Sequence, residues 1–258
     1  VHIRGSHLEL GEMIPRGVPG VLTGGRPVAF PEKHSGRLEL AHWLTRSDHP
    51  LTARVFVNRL WRWHFGRGLV ASTDNFGRLG TPPTHPALLD WLASEFIEGR
   101  WSTKRLQRTI LLSRTYRLQS VPRDDAVAVD PENRLWWRRG ARRLEAELIR
   151  DALLEVGATL DRTMYGKGTL DPKAPRRSIY LTVKRSQLIR MLQLFDAPGT
   201  IQGISFRQES TVAPQALAML NSPLVREGAT RFAAEARPDP AASLSESIDR
   251  AYRIALAR

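Results

Sequence analysis

The chain of 258 residues is 41% hydrophobic and 25% charged, an ordinary composition for a folded protein with one sizeable core or two small ones. Its longest apolar runs, such as Ile110-Leu111-Leu112, stop after a few residues, far short of the roughly 20 that a membrane-spanning helix needs. The absence of cysteine excludes disulfides, thiolate nucleophiles, Cys-type zinc sites and covalent attachment of a c-type haem, while a formal net charge of +13 suits an anionic partner.

Residues 1–34 differ from the rest. Val1-His2-Ile3-Arg4 alternates as a strand does, and Gly and Pro then punctuate almost every turn from Gly11 to Pro31. This stretch is expected to be the remnant edge and linker of an upstream domain, since it is shorter than the roughly 40 residues at which a chain without disulfides or metal folds alone. Its strand is expected to pair with Ser178–Val183 or to stay mobile.

From Ser35 the period becomes helical through Leu38, Ala41, His42 and Leu44, with Pro50 beyond the end. The next segment places Val57, Leu60, Trp61, His64 and Phe65 on one broad face and stops at Gly66. Residues 66–85, with four glycines and two prolines, predict a long loop of the kind that often carries function. Pro86 opens a helix through Leu88, Leu89, Trp91, Leu92, Phe96 and Ile97 to Gly99, and Ser102 caps another that runs to about Tyr116. After a polar break at 122–131, residues 142–160 predict a helix with Leu144, Leu148, Ile149, Ala152, Leu153, Val156 and Leu160 on its apolar side.

Residues 161–178 are loop-like, Ser178–Val183 has strand composition, and Leu188–Phe195 predicts a short helix before Pro198. Residues 199–212 look irregular. Pro214 opens a helix that Asn221 ends as a left-handed cap, and a further helix follows over Val225–Ala236. In residues 243–258, Leu244, Ile248, Tyr252 and Leu256 lie four apart on a helix that reaches Arg258 without a stop signal, as in a piece of a longer chain. The expected fold is mainly α, a multi-helix globular domain over residues 35–258 with a few short β-strands and long irregular loops.

Four blocks in this order resemble a known family: Asn58-Arg59-Leu60-Trp61 with His64-Phe65-Gly66 and Gly68-Leu69-Val70; His85-Pro86 with Leu88-Leu89-Asp90-Trp91; Arg142 to Glu147 with Ile149-Arg150-Asp151; and Pro214-Gln215-Ala216-Leu217 with Leu220-Asn221-Ser222-Pro223. They are similar to the C-terminal planctomycete-type domain, domain of unknown function 1553, of large secreted proteins. The likeness covers roughly residues 30–258. It implies an exported, extracytoplasmic multidomain protein, truncated here at its C-terminus. Upstream parts often include a c-type cytochrome module, so haem is expected on a domain absent here and no cofactor in this chain. The resemblance supplies no catalytic residues.

The basic residues cluster. Residues 99–123 hold seven cations and no acid, residues 175–190 hold five and no acid, and Arg138, Arg139, Arg142 and Arg143 lie together. Such patches neutralise phosphate or sulfate. Arg outnumbers Lys 34 to 5, as in GC-rich genomes, and no helix-turn-helix, RNA-binding or zinc-finger signature is present. An accessory or binding role toward an anionic polysaccharide or a cytochrome partner is therefore favoured over nucleic-acid binding.

The alternative is a carbohydrate-directed oxidoreductase or hydrolase. Its candidate residues are His64, Asn75, His85, Glu147, Asp151 and Arg207, polar residues at block edges near the long loop. Each has a plainer role. His64 suits a hydrogen-bonded core position, and His85 suits capping or tethering of the loop. Glu147 and Asp151, four apart, could form an acid–base pair, but Arg143 and Arg150 are spaced to make them an ion-pair ladder. The histidine spacings match no metal motif, and no metal site is expected. Of the tryptophans, Trp61 and Trp91 read as core, and one of Trp136 and Trp137 as an exposed stacking platform.

Overall fold

The computed structural model describes residues 1–199, 204 and 206–257; part of the stretch 199–212 expected to be irregular, and Arg258, lie outside them. Among the described residues ten α-helices occur, with short 3-10 turns and only isolated β-bridges, so the chain is mainly α as the apolar spacing predicts. It divides into two compact units, Val1–Ala141 and Arg142–Arg258, and the division falls inside the stretch read as one helical domain.

The first unit contains α1 (Arg37–Leu44), α2 (Thr52–Phe65), α3 (Pro86–Glu98), α4 (Thr103–Leu112) and α5 (Asp124–Val129). Its core joins Val57, Leu60, Trp61 and Phe65 of α2 to Leu89, Leu92 and Phe96 of α3 and Leu106 and Ile110 of α4. Burying each large side chain of this kind stabilises by about 1.5–3 kcal/mol. The apolar period of α2 is therefore the organising feature of the unit. Gly66 ends that helix at φ 88°, a left-handed value that side chains other than glycine disfavour. Pro86 occupies the first turn of α3, and the Ser102 hydroxyl accepts the Arg105 N–H at 3.3 Å to cap α4.

Several expectations for this unit are corrected. Val1–Arg4 is not a strand: His2 makes a single antiparallel bridge to Leu10, and Ile3–Gly5 turns as a 3-10 segment because no continuous strand lies alongside it. In α1 only Trp43 is buried, while Leu38, Leu40 and Leu44 stay exposed. Trp91 is 50% exposed rather than core, whereas Trp61 and Trp136 are buried. α4 stops at Leu112, where Ser113 turns extended, and the expected polar break contains α5, favoured by Asp124 and Asp125 in its first turn.

The second unit contains α6 (Ala146–Val156), α7 (Arg190–Leu194), α8 (Ala213–Asn221), α9 (Pro223–Ala236) and α10 (Leu244–Leu256). α6 packs on α7, α9 and the 3-10 turn Ser178–Tyr180, and α9 packs on α8 and α10. A Cβ built on Gly157 would lie 2.8 Å from the Cα of Gly228, so glycine at both positions lets the end of α6 approach α9 closely. α10 starts with a reciprocal cap between Ser243 and Glu246.

Here too the structure differs from expectation. Ser178–Val183 forms no strand: it begins as a 3-10 turn, and its one bridge among the described residues joins Leu181 to Thr169. Strand composition without a neighbouring strand does not make a sheet. Leu144 and Leu148 are each about half exposed, and the buried stripe of α6 is Ala146, Arg150 and Leu154 instead. Asn221 remains helical. Ser222, with an extended ψ of 128°, separates α8 from α9, and Pro223 opens the latter.

Candidate functional site

The six polar candidates divide between the two units. In the first, His64 on α2 sets its ring edge-on to Tyr116 at 5.8 Å and is half-buried. His85 precedes α3 without a side-chain cap; its Nδ1 lies 3.0 Å from the Thr84 hydroxyl, and the Thr84 N–H donates to the Leu69 carbonyl at 2.9 Å. Asn75 accepts the Gly77 N–H at 3.0 Å and its own carbonyl accepts the Ser72 hydroxyl at 2.7 Å. The tie that closes the loop is thus that of Thr84, with the His85 ring against its hydroxyl, and Asn75 shapes a turn within it.

The long loop owes its course to a residue outside that set. Asn58 is fully buried; its Nδ2 donates to the Val70 carbonyl at 2.9 Å and its Oδ1 accepts the Val70 N–H at 2.8 Å. A side-chain amide thereby replaces a strand as the partner of a buried peptide. Gly68 fits beneath it, since a Cβ there would meet the Asn58 amide at 2.7 Å. The motif spacing of Asn58, Gly66, Gly68 and Val70 therefore encodes a loop anchor.

In the second unit three candidates share one neighbourhood. Arg207 forks onto Glu147 at 2.7 and 3.1 Å and reaches Glu145 at 3.0 Å. Burial opposes ionisation of Glu147, but the Arg207 hydrogen bonds, a backbone hydrogen bond and the charge of Arg207 together hold the carboxyl below its ordinary value. Asp151 accepts the Ser178 N–H at 2.7 Å and the Ser178 hydroxyl at 2.6 Å. Each carboxylate is engaged by groups outside α6, and the ion pair of Glu147 runs to a distant residue, Arg207, rather than along the helix.

The most deeply buried tie is Arg150, only 1% exposed. Its guanidinium donates to the carbonyls of Arg176 at 2.9 Å, Pro172 at 3.4 Å and Ala174, and to the Ser178 hydroxyl at 3.2 Å, with Asp151 at 3.6 Å. Sequence spacing offered a signal, because Ala146, Arg150 and Leu154 recur every four residues. A second tie joins Arg143 to Asp196 at 2.6 Å and to the carbonyls of Phe195 and Ser210. Backbone donation from Ser210, opposed by burial and aided by Arg143, holds Asp196 below its ordinary value. Gln215, buried at the start of α8, donates to the Leu194 carbonyl at 2.9 Å and completes this corner.

Glu147, Ser178 and Arg207 line a cavity of about 420 Å³, whose other walls include Leu181, Val183, Leu188, Ile189 and Leu192, with Lys184 at its edge. That volume lies in the range of small-ligand sites, about 300–1,000 Å³. Four cations in the flanking sequence, Arg177, Lys184, Arg185 and Arg190, are exposed and form no ion pair among the described residues. By contrast Arg176 of the same basic run is committed inward, to the carbonyls of Lys167, Thr163 and Tyr165 and against the Tyr180 ring at 3.8 Å. Of the two adjacent tryptophans, Trp136 is in the core and Trp137 is partly exposed, with the Arg138 guanidinium 5.1 Å from its ring.

No helix among the described residues is long and apolar enough to cross a membrane. No curated protein and no solved structure matches the chain. A family model described as PSD1, protein of unknown function (DUF1553), matches residues 36–258, and the four blocks whose residues anchor the loop, α6 and α8 lie inside that span: the chain belongs to this family.

Proposed function

We propose that the chain is an accessory domain of an exported multidomain protein that acts by binding an anionic partner, an anionic polysaccharide or the acidic face of a protein such as a cytochrome module. The observation that carries this reading is the pairing pattern of the second unit. Glu147, Asp151 and Asp196 are each engaged by arginine or by serine donors, whereas Arg177, Lys184, Arg185 and Arg190 are exposed without carboxylate partners among the described residues. Acid–base catalysis needs a carboxyl whose proton is exchangeable near the working pH, and a carboxylate held low by a forked guanidinium is the opposite. Free surface cations attract polyanions over a Debye length, about 8 Å at physiological salt.

Affinity electrophoresis of the full chain through gels carrying a sulfated polysaccharide or poly-glutamate, at low and high salt, tests the reading. Retardation by at least one polyanion, weakened by salt and by the double variant Lys184→Glu/Arg185→Glu, is expected. Free migration in both gels at low salt overturns it.

A further inference from the structure

We propose, building on that binding role, that the cavity beside α6 is a docking pocket for a protein segment that carries one large apolar side chain flanked by Asp or Glu. The cavity holds about 420 Å³ and its walls are aliphatic, from Leu181, Val183, Leu188, Ile189 and Leu192. None of its described lining residues is aromatic. Saccharide rings bind by stacking their faces on flat aromatic side chains and by hydrogen-bonding hydroxyls around the rim, so an aliphatic pocket suits a leucine- or phenylalanine-like anchor instead.

The polar groups at the mouth fit the rest of such a segment. Thr182, Gln187 and Gln193 supply a hydroxyl and two amides, groups that pair with main-chain N–H and C=O. Lys184 lines the edge, and Arg185 and Arg190 adjoin the lining residues Lys184 and Ile189 in sequence. An acidic flank is thus matched in charge, and a basic one is repelled. On one wall Glu147 pairs with Arg207, which Glu145 also holds; this cluster carries one net negative charge, outnumbered by the cations of Lys184, Arg185 and Arg190. An apolar anchor seated in a pocket is the kind of contact in which a few residues carry most of the affinity.

A displayed library of peptides with one variable centre flanked by random acidic and neutral positions, selected on the full chain, is the test. Enriched peptides with a large apolar residue next to Asp or Glu are expected. Their affinity should fall at least about tenfold in the neutral variant Val183→Asn/Leu188→Asn, checked for folding by circular dichroism, with retardation by sulfated polysaccharide unchanged. Three results overturn the proposal: no enrichment, enrichment of acidic peptides without an apolar residue, or affinity undiminished in the variant. If the variant instead loses polysaccharide binding, the cavity is a glycan site and the peptide proposal fails while the binding role stands. Loss of binding to both polyanions by the unaltered chain is the separate failure of that role.

Discussion

Replacing Arg150 by methionine keeps the aliphatic stem of the side chain and removes its guanidinium. Three main-chain carbonyls, of Pro172, Ala174 and Arg176, and the Ser178 hydroxyl lose a charged donor, and Asp151 loses its cation at 3.6 Å. Asp151 keeps its two bonds from Ser178, so its charge is not wholly stranded. One term opposes the loss. The Nε of Arg150 is buried without a hydrogen-bond partner, and deleting it removes an unsatisfied donor worth about 1–3 kcal/mol. Breaking a buried charged pair costs about 3–5 kcal/mol, and several carbonyls are stranded as well, so a net loss of about 3 kcal/mol is expected. Arg150→Lys should lose less, because an ammonium retains the charge but not the planar fork. Urea unfolding reads the total, and hydrogen exchange at residues 172–178 reads where it acts. A methionine variant within 1 kcal/mol of the parent by the first measure, with exchange unaltered by the second, refutes the clamp.

Three further outcomes follow from other residues. Nδ1 of His49 accepts the N–H groups of Leu51 and Thr52, and burial, with the cation of Arg46 adding to it against the opposing pull of Asp48, lowers its pKa. Its contribution to stability is therefore present above the ordinary value of about 6.5 and is lost as pH falls from there through the lower folded value; in His49→Asn the slope of stability against pH below 6.5 should flatten, and equal slopes count against the role. Asn58→Ala leaves both polar groups of the Val70 peptide unpaired inside the core and should cost about 2–4 kcal/mol, measured by thermal unfolding; a loss under about 1 kcal/mol shows that the loop has another anchor. Limited proteolysis should cut first between Gly11 and Pro31, where most residues are exposed, with the helical remainder intact; uniform resistance there would contradict the linker reading.

The helices were legible where one apolar stripe dominated. Val57, Leu60, Trp61 and Phe65 recur at helical spacing and meet a glycine stop, and the same residues are buried. Legibility failed where the buried stripe was polar. Leu144 and Leu148 drew attention because they are leucines, yet the face that turns inward carries Arg150, and an arginine at an interior position looks from sequence like one more surface charge. Strand composition at Ser178–Val183 misled for a related reason: sheet formation depends on a neighbour far away in sequence, and here the neighbour offers only a single bridge. Among the site candidates, the Glu147 and Arg207 pairing joins residues 60 apart, a distance at which no local pattern speaks. The roles of Ser178, Asp196 and Gln215 leave no local signal in the sequence, because each acts on main-chain groups or through a partner supplied by another loop.

The grip of Arg150 falls on carbonyl oxygens of alternate residues, Pro172, Ala174 and Arg176. Every amino acid, proline included, presents that oxygen, so the clamp is blind to the side chains of the segment it holds. Pro172 and Pro175 can sit there because a missing N–H takes nothing from a contact that uses only acceptors. Substitutions along residues 172–177, apart from Arg176 with its own inward bonds to the carbonyls of Thr163, Tyr165 and Lys167, can therefore alter surface charge while Arg150 still holds the carbonyls of the segment. At Pro172, Ala174 and Pro175 the surface can change its chemistry without touching the contact that holds it.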